Sequence, residues 1–524
     1  MFRPKGKEDA DGSTRPQQGS SLSVRRAVWH KGTREEVAVT AQKGSDAGSR
    51  LVLLSSSMVL ALVLLWGAYS GSAHIAAQTS PQPNFVFILA DDMRYDDLKY
   101  MPKTNILLGS GGMTFSKAYV TKPLCCPSRT SILTGMYTHN HNVWFNGNGS
   151  EGGWQGFKAQ GHERDNLATR LSAAGYRTGL FGQYVKNYDG SNKPPGWNDW
   201  FGHYGGAYYG LKVNDNGTLR RYPNTASGYS TDVYSKEAQD FIATSASTGK
   251  PFFAYVAPTA PHYPTKAAPR DLNTYDGLKA PRPLSFNEAN VSDKPPWISS
   301  LPPLSASQIA QIDTRQEDRA ETLQALDDLV EGVVNTLNTT KAPDGTIALN
   351  NTYIFFTSDN GFEMGEHRIF DGKRRPYEES AHAPLLVRGP EVTAGSTTDK
   401  LALNIDFFPT LAELGGLQTP TYADGRSLRP VLNGSATTST WRSAILLETR
   451  FESGTGKNFY GILTSDQMKY IEYGSFRELY NLNTDPHELS NAYKATSPLT
   501  SLAAQLQALK GCKGDSCRAA EDGR

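Results

Sequence analysis

Two kinds of apolar pattern alternate along most of this chain. Asn84-Phe-Val-Phe-Ile-Leu-Ala90 and Tyr353-Ile-Phe-Phe-Thr357 are short, unbroken apolar runs. Runs of this length predict strands buried on both faces, as in a parallel sheet. Leu167 to Ala174 and Arg319 to Leu337 instead carry apolar residues at helical spacing, the second through Leu323, Leu326, Leu329, Val330, Val333 and Val334. Gly179-Leu-Phe-Gly182 reads as a strand end. Strands alternating with helices predict an α/β sheet. The Pro-rich segment from Ala280 to Pro303 predicts a long surface loop. From about Ser439 the pattern changes to strands over Ser443–Leu447, Tyr460–Leu463 and Lys469–Tyr473, closed by a helix over Leu499 to Leu509. That predicts a smaller antiparallel α+β subdomain.

The ends of the chain read differently. Residues 1–50 are polar and charged with no period, which predicts a disordered tail. Leu51 to Trp66 is uncharged and rich in Leu and Val, with Arg50 before it and small residues after it up to Ala77. Residues 51–77 therefore predict a signal peptide, or a signal anchor held in a membrane over 51–68. A buried core helix would have nothing to pack on beside such a tail. The globular body starts near Pro83, with a main domain over 83–437 and the subdomain and tail over 438–524.

Charge narrows the partners. The 53 Lys and Arg residues balance 52 Asp and Glu residues, which gives no basis for binding nucleic acid. Four cysteines in 524 residues are no disulfide scaffold. Cys125 and Cys126 are adjacent and lack the spacing of a zinc site. Cys512 and Cys517 either close a small loop or stand as free thiols, and export favours the disulfide.

Chemistry concentrates at the strand ends. In open α/β sheets, ligands bind beyond the carboxyl ends of the strands. Asp91-Asp92 follows one buried run and Asp359-Asn360 the other. Either pair alone fits a turn or a helix cap. Together they offer four oxygen ligands, suited to a hard cation such as calcium or magnesium. Between them lies Leu124-Cys125-Cys126-Pro127-Ser128-Arg129-Thr-Ser-Ile-Leu-Thr-Gly135. Pro127 fits a first helical turn, so Cys125 would face a helix N-terminus, which favours an anion. Arg129 lies one turn further on and reaches back to the same spot.

Cys125-x-Pro-Ser-Arg129, followed by Leu-Thr-Gly, resembles the signature of the type I sulfatases. The resemblance spans roughly Asn84 to Cys517. It implies an alkaline-phosphatase-like mixed sheet flanked by helices. It also implies that Cys125 is oxidised to formylglycine by a formylglycine-generating enzyme. Asp91, Asp92, Asp359 and Asn360 would hold one calcium ion, completed by residue 125. Arg129 would lie beside the nucleophile, His262 would protonate the leaving alcohol, and Lys373 would bind the sulfate. By spacing alone, His262 is an ordinary loop histidine and Lys373 an ordinary surface lysine. The chain departs from the family at Gln183, where many relatives carry a sulfate-binding lysine; Lys186 lies near enough to compensate. Glu478-Leu-Tyr-Asn-Leu-Asn-Thr-Asp-Pro-His-Glu-Leu-Ser-Asn491, with Cys512-x4-Cys517, resembles the N-acetylglucosamine-6-sulfatase and arylsulfatase branch. The implied activity is hydrolysis of an aryl sulfate or a sugar 6-O-sulfate, in a secreted or extracytoplasmic setting. Two other functions compete with it. One is a phosphatase or phosphodiesterase of the same superfamily, which would need a histidine-rich second metal site. The other is an impaired binder of sulfated glycans, for which Gln183 is the one favourable feature. Six N-x-S/T sequons, at Asn148, Asn216, Asn290, Asn338, Asn350 and Asn433, permit N-glycosylation.

Overall fold

A computed structural model describes residues 82–451, 457–496 and 499–523. The expectations for residues 1–50 and 51–77 lie outside these. Among the described residues, no helix is long and apolar enough to cross a membrane.

The strands in chain order are β1 (Asn84–Ala90), β2 (Met113–Phe115), β3 (Ala118–Tyr119), β4 (Arg177–Gly182), β5 (Asp199–Gly205), β6 (Lys212–Asp215), β7 (Thr218–Arg221), β8 (Phe252–Ala257), β9 (Thr352–Ser358), β10 (Leu385–Arg388), β11 (Ser396–Thr398), β12 (Ala402–Leu403), β13 (Ala444–Thr449), β14 (Phe459–Thr464), β15 (Met468–Tyr473) and β16 (Phe476–Asn481). Ten of them form one mixed sheet in the order β11-β2-β10-β9-β1-β8-β4-β5-β6-β7. Its centre, from β9 to β5, is parallel. Antiparallel strands flank that centre on both sides.

The unbroken apolar runs are explained by burial on both faces. Phe85, Phe87 and Leu89 of β1 enter one core cluster, and Val86, Ile88 and Ala90 enter another. This is the two-residue period of a strand with protein on each side. One face is covered by Leu167 and Leu171 of the helix Leu167–Ala173 and by Phe407, Phe408 and Leu411 of the helix Phe407–Leu414. The other is covered by Tyr234, Phe241 and Ile242 of Ser230–Ala246 and by Leu323, Leu326 and Val330 of Ala306–Thr339. The last helix begins well before the periodic segment. Ser305 caps it, accepting from the Gln308 N–H at 3.3 Å. Its first turns bury only Ile312, with Ile309 packed beside it, so their apolar stripe is short.

Strands β13 to β16 form a second, antiparallel sheet. Its core is shared with the main body, since Tyr119, Tyr137 and Leu403 pack in one cluster with Leu446, Phe459 and Ile462. Cys512 and Cys517 are joined by a disulfide. The segment after it is no loose tail. Asp515–Glu521 is a helix whose Glu521 is fully buried.

Glu521 is buried because it is paired. Arg442, itself fully buried, reaches Asp406 at 2.5 Å and Glu521 at 3.3 Å. The Tyr137 hydroxyl donates to Glu521 at 2.6 Å. Arg442→Met would leave two carboxylates short of a partner in a dry site. We expect it to lower stability by about 3–5 kcal/mol, read as a shift of the denaturant midpoint. A loss below about 1 kcal/mol, the level of an exposed pair, would show that the cluster rearranges at little cost.

Candidate active site

Four neighbouring parallel strands, β9, β1, β8 and β4, end at one edge of the sheet, and each delivers side chains there. β1 runs into Asp91 and Asp92, β9 into Asp359 and Asn360, β4 into Gln183, and the chain after β8 into His262. Register keeps the two ligand pairs level, with Ala90 opposite Ser358. The Asp359 N–H donates to the Ala90 carbonyl at 3.0 Å, and the Asp92 N–H to Asp359 Oδ1 at 3.1 Å. Asp92 has φ of 66°, a left-handed turn that Asp tolerates better than most residues. At Gly182, φ is 117° and an added Cβ would lie 2.1 Å from the Ala257 carbonyl oxygen. Only glycine lets β4 close against β8 there and present Gln183.

Cys125 is the first residue of the helix Cys125–Thr134, with Pro127 in its first turn. Its Sγ lies 3.4 Å from Asp91 Oδ1 and 3.8 Å from Asp92 Oδ1. Burial, then the Asp91 carboxylate, push the Cys125 thiol up. Arg129 projects from the same helix one turn later and is fully buried. Its Nε donates to Asp359 Oδ2 at 2.8 Å, and its Nη1 to the Gln183 carbonyl at 3.1 Å. Its Nη2 lies 3.5 Å from Asp91 Oδ2 with no hydrogen bond of its own. One guanidinium thus ties together three strand ends.

Two loops complete the ring of side chains. Lys373 Nζ donates to Cys125 Sγ at 2.8 Å and pairs with Asp92. His262 Nε2 lies 3.6 Å from Asp92 Oδ2, and Nδ1 contacts the Tyr263 carbonyl. That contact leaves Nε2 as the nitrogen facing the centre. About a third of the His262 side chain is exposed, so it stands at the mouth. Gln183 Nε2 donates to Asp91 Oδ2 at 2.7 Å. Lys186 Nζ donates to the same oxygen at 2.7 Å and to Gln183 Oε1 at 2.8 Å. Lys186 therefore brings to Asp91 the charge that Gln183 lacks. Arg375 and Glu363 were not singled out by the sequence. Arg375 Nη1 donates to the Lys373 carbonyl at 3.1 Å and pairs with Glu363 at 2.5 Å, which fixes the loop bearing Lys373.

Opposed charges tune the carboxylates. Burial pushes Asp91 up, but Lys186, His262, Arg129 and Lys373 together hold it well below the usual range. Asp92 is also held low, with Lys373 and His262 outweighing burial. Asp359 goes the other way, to about 6, through burial and then repulsion from Asp91.

These residues fit a hard cation. The donor set is three carboxylates and one amide oxygen. Asn360 Nδ2 donates to Asp92 Oδ1 at 2.7 Å, yet Asn360 Oδ1 is buried with no partner. An unpaired buried acceptor beside carboxylates is the position of a missing ligand bond. Among the described residues, His262 is the histidine that joins Asp91, Asp92 and Cys125 within reach of a common ion. Among the described residues, no histidine-rich second site of a two-zinc phosphatase is assembled around these ligands.

Known proteins share this arrangement of chain. The family model for sulfatases matches residues 83–417. The model for the C-terminal part of N-sulphoglucosamine sulphohydrolase matches residues 365–511. The chain is 35% identical over 522 residues to N-acetylglucosamine-6-sulfatase of Homo sapiens, covering 90% of this chain and 92% of that protein. It is 32% identical over 523 residues to an arylsulfatase of Volvox carteri, covering 88% and 79%. Its fold matches a structure solved in complex with its substrate D-glucosamine-2-N,6-O-disulfate, at a TM-score of 0.66 and 23% identity over 84% of this chain and 99% of that one. The chain therefore belongs to the sulfatase family and is a sulfuric ester hydrolase.

Proposed function

We propose that this chain hydrolyses the sulfate ester of a sugar or aryl alcohol through residue 125, converted to formylglycine, beside one calcium ion held by Asp91, Asp92, Asp359 and Asn360. The observation that carries this reading is the convergence of those four ligands with Cys125, Arg129, Lys373 and His262 at one sheet edge. The catalytic residues fall within 83–437, and 438–524 forms the supporting subdomain. Relatives named as N-acetylglucosamine-6-sulfatase favour a sulfated glycan as substrate. Others named as extracellular sulfatases, with the apolar segment at 51–77, favour an extracytoplasmic setting. All six sequon asparagines are exposed, as glycosylation there requires.

The chemistry assigns each residue a task. A sulfate ester resists nucleophiles because its oxygens are negative. Lys373, Lys186 and Arg129 surround the centre with cationic donors that stabilise that charge as it grows. The calcium ion would add Lewis-acid stabilisation at the same oxygens. As its hydrate, formylglycine would supply one hydroxyl to attack sulfur and a second to release sulfate. Asp359 or the metal would help to take the proton of the attacking hydroxyl. His262 Nε2 faces the centre from the mouth, where the departing alcohol leaves, and gives that oxygen its proton.

Protein produced with the converting enzyme is expected to hydrolyse 4-nitrophenyl sulfate in clear preference to 4-nitrophenyl phosphate, measured as kcat/KM. A preference for the phosphate would replace this reading with that of a phosphatase.

A further inference from the structure

We propose that Tyr263 is a platform for the ring of the leaving alcohol, so that this chain selects sulfate esters whose alcohol carries a flat apolar ring face, sugar or aryl. The inference rests on the hydrolase reading above, in which His262 marks the leaving-group side.

Three observations carry it. Tyr263 directly follows His262, and its carbonyl contacts His262 Nδ1. The backbone that bears the ring is thus held beside the proton donor for the departing oxygen. Second, Tyr263 is 51% exposed, one of the few large apolar side chains left open among the described residues. Third, the ring is held from behind. The Arg315 guanidinium lies 4.6 Å from its centroid and 4.7 Å from that of Phe370, filling the space between the two rings. Arg315 pairs in turn with Asp371. Phe370 and Asp371 lead directly into Gly372 and Lys373. The stack therefore links the loop of the proton donor to the loop of the sulfate-binding lysine.

Holding an exposed ring in this way costs side-chain entropy at Arg315 and Tyr263. An unused surface ring needs no such support. A recognition surface does, because a ring already fixed loses little freedom when a ligand stacks on it. With Arg315 on one face, the open part of the ring can take the apolar face of a pyranose or a phenyl group. A small acyclic alcohol would gain nothing from it.

The test compares three sulfate esters on the formylglycine-bearing enzyme and its variants. N-acetylglucosamine 6-sulfate offers a sugar ring, 4-nitrophenyl sulfate an aryl ring, and ethyl sulfate, read as a competitive inhibitor, no ring. We expect Tyr263→Ala to lower kcat/KM for a ring ester about tenfold, equivalent to about 1.4 kcal/mol, while the inhibition constant of ethyl sulfate moves less than about twofold. Whichever ring ester loses more identifies the ring that the platform takes. Tyr263→Phe should keep the preference, and Arg315→Met should weaken it in the same direction. Equal losses for all three compounds would overturn the proposal and leave Tyr263 as a shaper of the His262 loop. Wild-type turnover of 4-nitrophenyl sulfate reports separately on the hydrolase reading.

Discussion

Cys125→Ala is expected to lower kcat for a sulfate ester by about five to six orders of magnitude, the scale of losing the nucleophile from a site whose members act together. KM should move far less. The groups that surround the substrate's charge are Lys373, Lys186 and Arg129, and each has a carboxylate partner besides the sulfur. Arg129 is held by Asp359 and by the Gln183 carbonyl. Lys373 is held by Asp92 and through its carbonyl by Arg375. The variant should therefore fold, bind substrate and fail to turn it over. Wild-type protein whose Cys125 was never oxidised should resemble it closely, because a thiol has no second hydroxyl with which to expel sulfate. Mass analysis of the peptide holding residue 125 separates the two states: activity should track the fraction carrying the aldehyde. If Cys125→Ala retained turnover within about tenfold, the nucleophile would lie elsewhere and the role given to this helix would be wrong.

The parts of this site that were legible in the sequence are those built by local rules. Asp91-Asp92 and Asp359-Asn360 could be found because each pair ends an unbroken apolar run, and adjacent parallel strands deliver both to one edge. Cys125 and Arg129 could be linked because helical spacing puts them one turn apart. His262 and Lys373 obey no such rule. They sit on loops more than 100 residues apart, and only tertiary packing brings both against Asp92; resemblance to the family found them, and spacing did not. The Arg375–Glu363 pair and the Tyr263–Arg315–Phe370 stack left no periodic signal either. Two elements of the C-terminal region were missed for a related reason. Strand β16 buries Glu478, which accepts from the Tyr377 and Tyr480 hydroxyls at 2.9 and 2.7 Å, so its buried face does not read as apolar. The helix Asp515–Glu521 is anchored by a buried carboxylate on Arg442 and Arg426 where an apolar stripe would have been visible.

Lys186→Met is expected to lower kcat/KM by about 10²- to 10³-fold, the usual loss when one donor to a developing anion is removed. Its ammonium is within 2.7 Å of Asp91 and 2.8 Å of the Gln183 amide oxygen. Burial lowers its affinity for a proton, but the Asp91 carboxylate outweighs that and holds it above the usual lysine value. Gln183 leaves the end of β4 at the position from which a lysine would reach the same space, and it already touches Asp91 at 2.7 Å. Adding Gln183→Lys to the Lys186→Met background should accordingly restore most of the lost activity, since the charge returns from a neighbouring backbone position. A second readout guards against a purely structural role. If Lys186 meets the sulfate, the inhibition constant for inorganic sulfate should rise in the single variant and recover in the double. If Lys186 only neutralises Asp91, the thermal midpoint should fall while sulfate inhibition stays unchanged. In that case the chain would be running on Arg129 and Lys373 alone, and the substitution of glutamine at 183 would mark a real loss of sulfate affinity in place of a relocated charge.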